Sequence, residues 1–318
     1  SYMHTSWYKT IQTFPLNNAF SYCGDGTDDK PVLQFSYQFT DNNNDVGSTN
    51  NQISPLLYII RGYNGNDSDL TSLENKYITA LKTLANSIVS YKKPVLFRLN
   101  NEMNTDWTTY CGMFNLLDPD LFKASWITLY RIFKEKGALA NCMFIFNPIA
   151  TSCPYSSWGM DLNYFPGVDY VQVRGLTYYQ NNNYDEASSN SFESMYTDYY
   201  DNLIPYWKNY PWFISEFACG SGGASSGTIY RNQNSQANWV TDMFTSLNAR
   251  EEFCKNIKGA IWFGVNDYTS VNGQSVVMNQ LALDIDNLPS TIAAFKSGLA
   301  KTKILKKLMT LQEKSLLR

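Results

Sequence analysis

Two glutamates stand where chemistry can be done. Glu102 closes the run Pro94-Val-Leu-Phe-Arg-Leu-Asn-Asn-Glu, and Glu216 closes Pro211-Trp-Phe-Ile-Ser-Glu. In each, an apolar stretch of strand character ends on an acid, and parallel α/β proteins build their sites at the C-terminal ends of strands. A carboxylic acid paired with a carboxylate can break a glycosidic bond: the acid protonates the leaving oxygen while the carboxylate supports or attacks the oxocarbenium-like centre. The retaining form of that reaction needs the two carboxyls about 5 to 5.5 Å apart. Burial would keep one of them protonated, and a cation such as Arg98 would help keep the other ionised. Arg98 and Glu102 share strand parity and are expected to face the same interior. Asn101 has the opposite parity and reaches that interior only if the strand bulges or bends. One glutamate ending a strand is commonly a loop or capping residue; two such strands with aromatic neighbours make the pair worth following.

Composition removes the competing chemistries. The chain has a single histidine, His4, so a Ser/His/Asp or Cys/His system has no base to place deep in a fold. Cys23, Cys111, Cys142, Cys153, Cys219 and Cys254 include no C-x-x-C pair, and neither a metal nor any cofactor is expected. Cys142 lies in an apolar run and reads as a buried thiol. A net charge of -3 supplies no field to hold a polyanion, which excludes nucleic acid as the main partner. Aromatic residues make up 15% of the chain, and such rings suit stacking on sugars as well as core packing. No stretch approaches the roughly 18 apolar residues of a membrane span, and the N-terminus lacks the basic-then-apolar layout of a signal peptide. A monomer is expected.

The elements that must carry these residues follow from periodicity. Strand-like runs occur at Pro31 to Tyr37, Pro94 to Asn100, Cys142 to Asn147, Tyr170 to Thr177, Trp212 to Phe217 and Gly259 to Phe263. Asp118 to Lys136 spaces Leu121, Trp126, Leu129, Ile132 and Phe133 as a helix does, and Gln236 to Leu247 behaves similarly. Strand and helix in alternation predict a parallel sheet, and 318 residues fit a (β/α)8 barrel spanning 1–300 as one domain. Too few residues precede the first clear strand for regular units there, so an abbreviated or irregular N-terminal portion is expected, with Leu56 to Arg61 either a strand or a packed turn. Residues 301–318 hold six basic side chains against Glu313 alone, which leaves -8 on the rest of the chain. They read as a basic amphipathic tail, a surface helix or an appendage.

The segment Arg98-Leu-Asn-Asn-Glu-Met-Asn-Thr-Asp-Trp107 resembles the acid/base segment of glycoside hydrolase family 26, the β-mannanases and relatives of a retaining (β/α)8 clan. The resemblance continues through Asn147-Pro148, Tyr164 to Tyr179, Ile214-Ser-Glu-Phe217 and Ile261-Trp-Phe263, covering roughly Pro94 to Asp267. It implies that Glu102 ends the fourth barrel strand as the acid/base and that Glu216 ends the seventh as the nucleophile. It further implies that Tyr179 positions the nucleophile, that Trp262 is a platform under the sugar, and that Trp107 lines the leaving-group side. Core packing is the plainer role for each of these three rings. Arg98 and Asn101 complete the expected substrate-binding set. The implied activity is endo-cleavage of a β-linked polysaccharide, β-1,4-mannan first, outside the cell. Asn101 stands where that family has histidine and Thr105 where it has glycine, so mixed-linkage glucan, 1,3-xylan or an exopolysaccharide remain alternative substrates. A carbohydrate-binding barrel without turnover is the further alternative.

Three lesser signals carry little. Gly220-Ser-Gly-Gly-Ala-Ser-Ser-Gly227 lacks the lysine of a phosphate loop and reads as a mobile loop. Asn66-Asp67-Ser68 fits a glycosylation sequon, and Asp41, Asp45 and Asp67 read as a solvated acidic face rather than a calcium site.

Overall fold

The computed structural model describes residues 2–3, 33–38, 72–92, 94–108, 110–181, 190–203, 205–225, 228–231, 233–249, 257–263, 267–279, 281 and 289–301. Leu56 to Arg61, the sequon, the acidic face and all but the first residue of the basic tail lie outside them. The chain divides into two compact units, one of Ser1–Thr5 with Lys30–Thr177 and one of Ser6–Asp29 with Tyr178–Arg318.

The first unit is a parallel sheet with helices. Strand β1 (Tyr2–Met3) pairs antiparallel with β2 (Leu33–Gln38), and β2 runs parallel to β3 (Val95–Leu99), with Leu33 opposite Val95 and Tyr37 opposite Leu99. Next come β4 (Cys142–Phe146), with Arg98 opposite Ile145, and β5 (Val173–Gln180), with Phe146 opposite Arg174. All five residues of β3 are buried, as an inner strand covered on both faces requires. Helix α1 (Ser72–Tyr91) precedes β3 and α2 (Pro119–Glu135) follows it. The start of α2 is written in its first residues. Asp118 caps it by accepting the Asp120 amide at 2.9 Å, Pro119 sits where no amide partner is needed, and Lys134 lies in the last turn. Its buried face, Phe122, Trp126, Leu129, Ile132 and Phe133, packs on the sheet: Phe133 lies 5.0 Å from Phe97, and Trp126 lies 5.8 Å from Phe144, ring to ring. The Trp126 indole N–H finds the Tyr170 carbonyl at 2.9 Å, so the core ring leaves no donor unmet.

The second unit carries α3 (Phe192–Asp201), β6 (Trp212–Cys219), α4 (Gln233–Ala249), β9 (Ile257–Trp262) and α5 (Pro289–Lys301). Strand β6 runs parallel to β9. Ile214 faces Ala260 and Phe217 faces Trp262, so three steps on β6 match two on β9, and a bulge falls on Ser215 and Glu216. Gly259 lets the two strands meet: a Cβ there would lie 2.3 Å from the Phe213 ring. Within the expected loop at 220–227, Gly222–Ser225 is instead a strand. Strands β7 (Gly222–Ser225) and β8 (Thr228–Arg231) pair antiparallel and join β10 (Asp267–Val271) and β11 (Gln274–Asn279) in a four-stranded sheet of order β10-β11-β7-β8. The turn between β10 and β11 is Asn272-Gly273, both at positive φ (51° and 77°), the pair that a tight hairpin selects. Among the described residues no helix is long and apolar enough to cross a membrane.

Candidate active site

Strand β3 stops at Leu99, three residues before the acid, so the parity expectation does not carry through to Glu102. Asn100 (φ 43°) and Glu102 (φ 59°) both take the left-handed conformation, which costs a residue with a Cβ about 1 to 2 kcal/mol each. The turn is held by its surroundings. The Glu102 amide donates to the Asn147 carbonyl at 2.7 Å, and the Glu102 carbonyl accepts the Thr105 hydroxyl at 2.6 Å. Asn104 grips the chain beyond β4 with both halves of its amide: Nδ2 donates to the Ile149 carbonyl and Oδ1 accepts the Ile149 amide, each at 3.0 Å. Glu102 is 9% exposed, and its carboxylate accepts the Trp107 indole N–H at 3.1 Å.

Arg98 is buried on β3, and its guanidinium reaches the Asn147 side-chain oxygen at 3.5 Å. Asn147 is itself fully buried and donates to the Thr177 hydroxyl and the Pro148 carbonyl, both at 3.0 Å. One amide thus ties the ends of β3, β4 and β5 together, a role that sequence inspection did not assign to it. Asn101 is buried, and its carbonyl accepts the Tyr110 hydroxyl at 2.8 Å. Burial first, then the nearby Cys111 and Glu102, pushes the Tyr110 phenol well up, so it remains a donor.

In the second unit, Glu216 is 7% exposed at the bulge of β6 and accepts the Tyr179 hydroxyl. Tyr179 comes from the end of β5, and its ring meets Phe263 edge-on at 5.8 Å and 88°. Trp262 is elsewhere. It is buried, its N–H donates to the Leu281 carbonyl at 2.9 Å, and its ring packs against Phe217, Trp239 and Phe295. Those contacts are core packing, and the ring beside Tyr179 is Phe263. The end of β6 is fastened by Gln236 of α4, which donates to the Cys219 carbonyl at 2.7 Å and accepts from the Thr291 hydroxyl of α5 at 2.7 Å.

The structure therefore brings Trp107 to Glu102 and Tyr179 to Glu216, sets Arg98 on Asn147, and places Trp262 in an aromatic cluster. Asn104, Asn147, Thr105 and Cys111 were not marked as site residues, although Asn104 and Thr105 sit inside the motif that was. A short polar residue within three positions of a strand-end acid is the signal for Asn104 and Thr105; Cys111 and Asn147, 9 and 45 positions beyond Glu102, carry no such signal. Among the described residues no group of histidine, cysteine, aspartate and glutamate could hold a metal ion.

A family model for glycosyl hydrolase family 26 matches residues 29–241, more than half of the chain. No curated protein matches its sequence. Among solved structures, an endo-β-1,4-mannanase double mutant from Cellulomonas fimi aligns at 16% identity and TM-score 0.58, over 86% of this chain and 54% of that one. GH26C from Muricauda sp. MAR_2010_75 aligns at 15% and 0.56, over 94% and 70%. The catalytic domain of a GH26 endo-β-1,4-mannanase from Bacillus sp. JAMB-750 aligns at 16% and 0.54, over 93% and 71%. The chain spans 54% of the Cellulomonas fimi protein and 63% of the Bacillus subtilis mannanase man26, which it also matches. Identities this low speak to the fold alone, and that fold is the (β/α)8 barrel class expected from the alternation of strands and helices. With the family model spanning most of the parallel-sheet segments and both strand-end glutamates, the chain belongs to glycosyl hydrolase family 26.

Proposed function

We propose that the chain is a retaining, endo-acting glycoside hydrolase of β-linked polysaccharide, β-1,4-mannan first, with residues 1–300 as its catalytic domain and its site of action outside the cell. The observation that carries this reading is that each strand-end glutamate is more than nine-tenths buried and accepts a hydrogen bond from an aromatic donor, Glu102 from Trp107 and Glu216 from Tyr179. In this reading Glu216 attacks the anomeric carbon while Glu102 protonates the departing sugar; Glu102 then deprotonates the water that releases the glycosyl-enzyme. The first step breaks the glycosidic bond and forms an ester to Glu216, and the second returns the carboxylate and a sugar of unchanged anomeric configuration. Tyr179 holds the attacking carboxylate in place. Arg98, Asn101, Trp107 and Trp262 form the substrate-binding set that accompanies this reading, Trp262 by resemblance and the others near Glu102 in the chain. The endo-β-1,4-mannanases among the structural neighbours support mannan as the first substrate. Asn101, in place of a histidine beside the acid/base, favours a second reading in which another β-glycan is cut.

The test is product release from mannan, glucomannan, galactomannan, mixed-linkage glucan and 1,3-xylan, with the anomer followed by NMR. Glu216→Ala and Glu102→Ala should each lose at least about a hundredfold in rate. With a dinitrophenyl glycoside, whose leaving group departs without protonation, azide should return activity to both, giving an α-glycosyl azide with Glu216→Ala and a β-glycosyl azide with Glu102→Ala. Wild-type rates in either variant overturn the assignment.

A further inference from the structure

The inner side of the Glu102 turn holds a chain of small polar side chains that the proposed reaction does not use. Thr105, fully buried, places its hydroxyl 2.6 Å from the Glu102 carbonyl and 3.0 Å from the Cys111 sulfur. The Cys111 sulfur lies in turn 2.7 Å from the Thr108 hydroxyl. The order of the protons starts at the carbonyl. A carbonyl has no hydrogen to give, so Thr105 donates to Glu102; its only proton is then spent, and towards Cys111 it can only accept. The Cys111 thiol has the Thr105 hydroxyl and, at 3.9 Å, the Glu102 carbonyl itself to donate to. Burial pushes the Cys111 thiol up, which keeps it in the protonated form that this order requires.

We infer that Thr105 is a positioning residue for Glu102: its hydroxyl, backed by Cys111 and Thr108, holds the left-handed turn that aims the Glu102 carboxylate at the Trp107 indole. The inference rests on the reading of Glu102 as the acid/base. The physical need is plain. A glutamate in the left-handed region relaxes toward ordinary backbone unless its neighbours hold it, and a rotation about its φ swings the carboxylate relative to a fixed indole. The Glu102 amide is held by the Asn147 carbonyl just beyond β4, and the Glu102 carbonyl is held closely by Thr105 at 2.6 Å, with the Cys111 sulfur farther off at 3.9 Å. The two grips act on opposite ends of the same residue.

Thr105→Val removes the hydroxyl and keeps the shape, whereas Thr105→Ser keeps the hydroxyl. Both are made in the full chain and read in two ways. The first is the indole ¹H–¹⁵N resonance of Trp107, assigned with Trp107→Phe; the second is kcat and KM on whichever glycan the wild type cleaves. Thr105→Val should move the Trp107 resonance and lower kcat about tenfold with KM nearly unchanged, and Thr105→Ser should restore both. A Thr105→Val protein with the wild-type resonance and kcat overturns the inference, as does equal loss in Val and Ser, which would assign the effect to the methyl group's packing. Should Thr105→Val fail to fold, Thr108→Val removes the outer link, and an unmoved indole resonance there overturns the relay. If the wild type cleaves no glycan, the proposed hydrolase fails, and the indole resonance still decides whether Thr105 positions Glu102.

Discussion

At the scale of single residues, the two glutamates are held by different means. Glu102 sits in a turn of left-handed residues braced from both sides, while Glu216 sits on a strand whose bulge re-aims it. Tyr179 is the side chain whose contribution is simplest to isolate. Tyr179→Phe deletes the hydroxyl that donates to Glu216 but keeps the ring edge-on against Phe263. We expect a loss of about ten- to a hundredfold in kcat with an almost unchanged melting temperature. Turnover within twofold of wild type would remove Tyr179 from the positioning of Glu216. The neighbouring residues Trp262 and Phe263 differ in their surroundings: the Trp262 N–H donates to Leu281 and its ring meets Phe217, Trp239 and Phe295 at 72° to 86°, whereas the half-buried Phe263 stands beside Tyr179.

At the scale of elements, close approach decides the sign of otherwise predictable substitutions. Gly298 lies in the interior of α5, where glycine costs a helix about 0.8 to 1 kcal/mol relative to alanine. On an exposed face Gly298→Ala would therefore stabilise. Here an added Cβ would lie 2.0 Å from a ring carbon of Phe244 on α4, so the helices must separate or the ring must leave its rotamer. Overpacking of this kind costs about 1 to 3 kcal/mol and outweighs the propensity gain. Gly298→Ala should lower the urea midpoint, and a raised midpoint would mean that α4 and α5 yield at that contact.

At the scale of the whole molecule, buried acids that stay neutral set the alkaline limit. Burial pushes the Cys142 thiol from 9.0 up to about 12, and it pushes the Cys219 thiol and the Tyr164 and Tyr196 phenols up as well. Their folded-state values lie above the unfolded ones. Below about pH 9 both states keep the proton and no stability depends on it; above that, the unfolded state releases protons that the folded state retains. Stability contributed this way is thus complete at neutral pH and is lost as pH rises toward 12, by up to about 1.4 kcal/mol per pH unit for each such group. Urea unfolding under reducing conditions should show a midpoint that falls between pH 8 and pH 10.5. A midpoint constant over that interval would show that these groups ionise in the folded protein.

The linear sequence determined the elements whose physics is local. The cap and apolar stripe of α2, the strand runs of β2 to β6 and β9, and the two acids that end apolar runs were legible because periodicity, capping and strand ends depend on neighbours within a few residues. The Asn272-Gly273 turn and α1 are local in the same sense. What the tertiary structure alone decided depends on partners far along the chain. The left-handed turn at Glu102 is held by Asn147, the bulge at Glu216 exists only against the register of β9, and Asn147 becomes a hub only where three strand ends converge. Likewise the surroundings of Trp262 are set by Leu281 and Phe295, which pack from later in the chain. A pattern of neighbours can say that a strand ends on an acid; where that acid points is set by groups tens of residues away.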